Sequence, residues 1–177
     1  MVKEIEIKKA VELLLNALGE DTIRNGIKDT PTRVAKFLSE FSSQNEQINL
    51  ETEKMLVKIF DEPKTFNSNQ MVTVKDVPFC SLCEHHLLPF FGTVDISYIP
   101  KTGKILGLSK FSRVVNYFSK KLQTQERLTE QIAEFLFSNV PSTWLKVTVR
   151  AVHICVVARG ARSVGSSTET EVTKGKI

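Results

Sequence analysis

The sequence predicts an α+β fold, a four-stranded antiparallel sheet backed by two helices, with an N-terminal helical region ahead of it. Three observations lead there. Residues 1–60 carry apolar residues at helical spacing. From residue 70 the apolar residues alternate in the β manner. Two helical segments then follow one another directly between strands, in the order β-β-α-α-β-β. Alternating βαβ units would have separated them.

The first helix places Ile7, Val11, Leu14, Leu15 and Leu18 on one face, with Gly19 as its stop. Thr30-Pro31 reads as an N-cap followed by proline at the first helical position, and the helix continues through Leu38. Residues 49–60 read as a third helix. Strands are expected over 70–77, through Met71, Val72, Val74 and Val77, and over 92–99, through Val94, Ile96 and Tyr98. Lys101–Lys104 is a turn between strand and helix. Ser109 is the expected N-cap of a helix to about Lys121, with Phe111, Val114, Val115 and Phe118 on one side. Thr124 opens the next helix, which runs to Phe137. Residues 145–158 form a long Val-rich β run, and 168–173 a short final strand. Residues 1–60 thus form the helical region and 61–177 the sheet domain. A sheet covered on one side needs a partner surface, which implies an oligomer.

Composition narrows the function classes. With 41% hydrophobic and 25% charged residues in 177, the chain is a globular protein of ordinary makeup, not a disordered one. A formal net charge of +4 is too modest to imply nucleic acid, and no aromatic-interleaved basic stripe supports it. No stretch approaches the roughly 20 apolar residues that span a bilayer. The opening MVKEIEIKKAVELLL is charged from its third residue and does not read as a secretory signal. Three cysteines, an odd number, argue against a disulfide scaffold and for a reducing cytoplasm.

The chemistry concentrates in Cys80-Ser81-Leu82-Cys83-Glu84-His85-His86 and in His153-Ile154-Cys155, which together hold every cysteine and histidine of the chain. Cys83 and His86 are three apart, so one turn brings both toward a point. His153 and Cys155 are two apart in an expected strand, so both face one side. Two thiolates and an imidazole suit Zn²⁺. Cys83, His86 and Cys155 would leave a fourth position open, as catalytic zinc requires. His85 and His153 are then spare imidazoles, the usual acid and base at neutral pH. A closed structural site that also takes Cys80 is an alternative, as are a redox pair and a chance scatter of core cysteines.

Other residues frame the cluster. Gly107-Leu108-Ser109-Lys110 precedes a helix, with Arg113 one turn in, a pattern that fits a phosphate grip or a solvated basic face. Arg159 follows the His153/Cys155 patch. Glu126 reads as a first-turn acid favoured by the helix dipole. Arg33 and Lys36 read as helix surface charges.

Taken together, Cys83-Glu84-His85-His86-Leu87-Leu88-Pro89-Phe90-Phe91-Gly92, Tyr98-Ile99-Pro100-Lys101, Gly107-Leu108-Ser109-Lys110, Gln125-Glu126-Arg127-Leu128-Thr129 and Ala151-Val152-His153-Ile154-Cys155 resemble GTP cyclohydrolase I. Asp29–Lys36 is similar to that family's helix ahead of its catalytic part. The resemblance implies Zn²⁺ on Cys83, His86 and Cys155, with Cys80 outside the site, and His85 and His153 as catalytic histidines. It implies Glu126 as the reader of guanine, with Gln125 beside it. Ser109, Lys110, Arg113 and Arg159 would be ribose and triphosphate contacts, and Arg33 and Lys36 further basic residues for the triphosphate. It also implies a tunnelling fold and a homodecamer with active sites at subunit interfaces. The implied reaction converts GTP to 7,8-dihydroneopterin triphosphate with loss of formate, the first step of pterin and folate, or 7-deazaguanine, synthesis. A non-catalytic zinc-stabilised module is the competing class. The presence of His85, His153 and Glu126 together favours the enzyme.

Overall fold

In the computed structural model, which describes residues 3–41, 49–61, 70–101 and 103–176, the chain divides into two compact units, Met1–Glu46 and Gln47–Ile177. The first holds α1 (Glu4–Ala17) and α2 (Thr30–Glu40). Glu4 and Glu6 lie in the first turn of α1, where the helix dipole favours acids. Gly19, at φ 79°, ends it: its N–H donates to Asn16 O and that of Glu20 to Leu15 O, the paired bonds that close a helix through a left-handed residue. Of the expected apolar face, Val11 and Leu15 are buried and Ile7 half-buried, while Leu14 and Leu18 stay exposed. Asp29, not Thr30, is the N-cap of α2, and Pro31 falls within its first turn.

The second unit begins with α3 (Leu50–Leu56), whose N-cap Asn49 accepts the Thr52 N–H at 2.9 Å. The expected helix over 49–60 stops there. Ile59–Asp61 is a strand, β1, so a boundary at residue 60 would fall inside it. Then follow β2 (Val72–Cys83), β3 (Pro89–Pro100), β4 (Lys104–Leu106), α4 (Leu108–Ser119), β5 (Leu122–Gln123), α5 (Gln125–Asn139), β6 (Ser142–His153), α6 (Ile154–Val157) and β7 (Thr168–Gly175). Gly107 takes the capping place expected of Ser109.

The main sheet has the order β5-β2-β3-β6-β7, while β1 pairs with β4 in a separate ribbon. The four expected strands are present as antiparallel neighbours. The two-residue β5 adds a fifth at the edge, parallel to β2, so the sheet is mixed and five-stranded, not purely antiparallel and four-stranded. A two-residue strand has too few residues to show alternation.

One face of this sheet carries the core. Phe90, Val94, Ile96 and Tyr98 of β3 and Leu145, Val147, Val149 and Ala151 of β6 are buried with Phe111, Val114, Val115 and Phe118 of α4 and Leu128, Ile132 and Leu136 of α5. The other face is polar, where Arg150 binds Asp95 at 2.7 Å and Glu169 at 2.6 Å. Exposed ion pairs of this kind are screened by solvent and contribute little. Fully burying one Leu, Ile, Val or Phe is worth roughly 1.5–3 kcal/mol, so the apolar face sets the register.

Close approach of β3 and β6 depends on Gly92. A Cβ there would lie 1.9 Å from Arg150 O and 2.8 Å from Ala151 Cα, both backbone atoms that cannot rotate away. Gly92→Ala is expected to cost about 3 kcal/mol or more, the upper range of overpacking. Urea denaturation of the variant should show the midpoint collapse; a midpoint unchanged from the parent would contradict the packing described.

Candidate active site

The site is built where β2 runs out and β6 ends. After Cys83 the chain reverses in a tight turn, with Cys83 N–H donating to Leu88 O at 2.9 Å and Leu87 N–H to Cys83 O at 2.8 Å. Leu87 takes a left-handed conformation, φ 56°, to close it. This turn places His85 and His86 beside the cysteine, their Nδ1 atoms 3.8 and 3.9 Å from Cys83 Sγ. β3 leaves the turn at Pro89, and Phe90 pairs with His153 across the β3–β6 ladder. The register therefore carries the second patch to the first.

Cys155 arrives differently from the sequence expectation. β6 stops at His153, and Ile154–Val157 form a helical turn. That turn brings Cys155 to Cys83 and His86, whose potential ligand atoms all lie within 4.8 Å of one another. His85 and His86 are nearly equidistant from Cys83, so it is Cys155 that selects His86. Cys80 and Cys83 are three apart on β2, and an odd offset on a strand points side chains to opposite faces. Cys80 is exposed while Cys83 is buried, and Cys80 stands outside the cluster.

Electrostatics mark the same residues. Burial, and next the adjacent Cys83 sulfur, push the Cys155 thiol above its ordinary range. Two thiols held this close cannot both ionise cheaply without a cation between them. A donor set of two sulfurs and an imidazole fits a metal ion. Burial pushes His153 below its ordinary range, against the pull of the Glu126 carboxylate, so the imidazole is held neutral at pH 7.

Thr124 caps α5 by accepting the Arg127 N–H, which fixes the first turn, where buried Gln125 and exposed Glu126 both border one cavity. That cavity, about 280 Å³, is lined by Cys83, His85, His86, Gln125, Glu126, His153 and Cys155, among others. Arg159 reaches it too, its Nη1 donating to His86 Nε2 at 2.7 Å. Two residues at the site lie within the quoted motifs but had no role assigned to them from the sequence. Phe90 stacks on His153, centroids 4.7 Å apart and planes within 5°. Arg127 binds Glu84 in the turn and, through that hydrogen bond, holds its carboxyl below the usual range.

Ser109, Lys110 and Arg113 are not brought here. The start of α4 is tied to the far end of the sheet, where Gly107 N–H donates to Lys58 O and Leu106 N–H to Tyr98 Oη at 3.1 Å. Tyr98 lies on β3 eight residues from Phe90, roughly 25 Å of strand. Lys110 Nζ donates to Met55 O at 2.7 Å. Arg33 and Lys36 are exposed on α2 of the first unit, Arg33 facing Asp29 at 3.4 Å.

Residues 7–177 match the family model described as GTP cyclohydrolase I. The chain belongs to the GTP cyclohydrolase I family. A relative named GTP cyclohydrolase 1 from Pelotomaculum thermopropionicum is 43% identical over 175 residues, 99% of this chain and 89% of that one. Relatives of the same name are 44% identical in Sulfurihydrogenibium sp., over 100% of this chain and 89% of theirs, and 44% in Enterococcus faecalis, over 95% and 87%. Among solved structures, an archaeosine synthase QueF-Like in the apo form superposes with a TM-score of 0.49 at 22% identity, over 63% of this chain and 99% of that one. Membership of the GTP cyclohydrolase I family makes the chain an enzyme acting on GTP, the activity expected from the motifs. Among the described residues no helix is long and apolar enough to cross a membrane.

The cluster predicts distinct roles for the cysteines. Cys83→Ser and Cys155→Ser should each lose bound metal, while Cys80→Ser keeps one ion per chain, as elemental analysis of the purified proteins would read. Metal loss from the Cys80 variant would restore a closed three-cysteine site.

Proposed function

We propose that this GTP cyclohydrolase opens the guanine imidazole ring at a Zn²⁺ site held by Cys83, His86 and Cys155, releases formate, and forms 7,8-dihydroneopterin triphosphate. The observation that carries the reading is the meeting of three metal-ligating side chains, two further imidazoles and one carboxylate at a single cavity. When bound, zinc lowers the pKa of a coordinated water toward about 7 and makes it a nucleophile at neutral pH.

The chain's own residues do the rest. Glu126 presents an exposed carboxylate on the first turn of α5, able to accept from guanine N1–H and the exocyclic amine. Adenine lacks that pair of donors, so the carboxylate discriminates strongly. His153 is kept neutral and can take up a proton, and His85 offers a second, exposed imidazole. Arg159 stands close enough to the cluster to meet an anionic substrate.

One chain supplies only part of the site. Its cavity of about 280 Å³ is smaller than the roughly 300–1,000 Å³ of small-molecule sites. Ser109, Lys110 and Arg113 sit at the other end of the sheet and would meet the triphosphate of a neighbouring copy. We accordingly assign a homodecamer of tunnelling-fold subunits with shared active sites. Arg33 and Lys36, exposed on α2, would add positive charge for the triphosphate from a neighbouring copy. Free thiols at the centre of such a site suit the reducing cytoplasm.

Two tests follow. His85→Ala and His153→Ala should keep the metal and GTP binding while formate release falls by roughly 10²–10⁴. Glu126→Ala should instead raise KM for GTP. A histidine variant with full turnover has no part in proton transfer. For the shared site, inactive His153→Ala chains are refolded together with inactive Arg113→Ala chains. Random mixing should leave about one site in four with both native residues and recover that share of activity. No recovery would place both residues in one chain's site.

A further inference from the structure

We propose that Gln125 is a positioning residue that fixes the tautomer and rotation of His153, with hydrogen on Nε2 and the Nδ1 lone pair left free; the inference rests on His153 acting in the reaction. The sequence placed Gln125 among the substrate contacts, but its side chain is almost wholly enclosed at 1% exposure, and its hydrogen bonds are all made within the protein. Gln125 Oε1 lies 2.7 Å from His153 Nε2. Gln125 Nε2 donates to Val149 O at 3.0 Å, Thr168 O at 3.0 Å and Thr170 Oγ1 at 3.1 Å.

The orientation of the amide follows from these partners. Val149 O and Thr168 O are backbone carbonyls and only accept, so the amide NH₂ must face them and the carbonyl oxygen must face the imidazole. The hydroxyls agree. Thr129 Oγ1 gives its single proton to Gln125 O at 2.8 Å. In the 2.6 Å Thr129–Thr170 pair the donor is then Thr170, which leaves a Thr170 lone pair for the Gln125 NH₂. Every donor in the network has an acceptor, and reversing the amide would set its oxygen against two carbonyls.

An amide oxygen cannot donate, so His153 must offer Nε2–H. A neutral imidazole has one such hydrogen, which makes Nδ1 the nitrogen with the free lone pair. Phe90 stacks on the ring, 4.7 Å between centroids and 5° between planes, and sets its tilt while Gln125 sets its rotation. Adjacent residues on α5 thus divide the work: Gln125 turns inward to the histidine and Glu126 outward to the cavity.

The test reads the tautomer directly. The chain has three histidines, so the holoenzyme labelled with ¹⁵N-histidine gives few imidazole signals, and His153→Ala identifies those of residue 153. The expected result is a protonated Nε2 and an unprotonated Nδ1 on His153 in the parent protein. A proton on Nδ1 with bare Nε2 overturns the proposal without any Gln125 variant being needed. Gln125→Met removes the acceptor and should mix the tautomers and lower kcat by roughly 10²-fold, with KM for GTP within about twofold. A Gln125→Met protein with an unchanged tautomer and a raised KM would return Gln125 to the substrate contacts. Full turnover in His153→Ala would instead remove the premise that His153 takes part in the reaction.

Discussion

Everything at the site depends on the antiparallel register of β2, β3 and β6. Leu82 pairs with Pro89 and Phe90 with His153. Those two pairings bring Cys83, the His85-His86 turn and the end of β6 to one end of the sheet, although the two patches are far apart in sequence. A slip by one residue would turn His153 to the opposite face and take Phe90 from under it. The buried rows on β3 and β6, covered by α4 and α5, hold the register, and Gly92 permits the strands to approach. The core is therefore the means by which the site is assembled.

Within that frame, the charge balance points to a cation. Two sulfurs and an imidazole share a few ångströms, and burial raises the Cys155 thiol. The imidazole that is not a ligand and not solvent-exposed, His153, is kept neutral by the same burial and oriented by Gln125 and Phe90. The cluster thus separates into groups that can hold a positive ion and a group that can carry a proton. The groups proposed to meet the substrate's charge lie apart from both, Arg159 beside the cluster and the basic residues of α4 at the far end of the sheet.

Much of this was legible in the sequence because local rules governed it. The grouping of every cysteine and histidine into two patches marked the candidate site, the Thr124 cap placed Gln125 and Glu126 on a helix start, alternation gave parts of β2 and β3, and a Val-rich run gave β6. What was not legible depended on partners distant in the chain. Ile154-Cys155-Val156-Val157 is a short apolar run, and such runs fit a strand or a helical turn equally well. Only the fold shows that it curls. Gln125 reads as a cavity residue until β7, 43 and 45 residues away at Thr168 and Thr170, is seen to take its amide. Ser109, Lys110 and Arg113 look like members of the site because their motif belongs to the same family. Their distance from Cys83 within one chain emerges only from the anchoring of α4 at Tyr98 and Met55.

The most direct measurement of the central claim, that the sheet register assembles a metal centre from Cys83, His86 and Cys155, is zinc-edge X-ray absorption on the purified protein. The account predicts two sulfur ligands at about 2.3 Å, with the remaining shell made of nitrogen and oxygen. A shell of three sulfurs, or zinc with none, would contradict it.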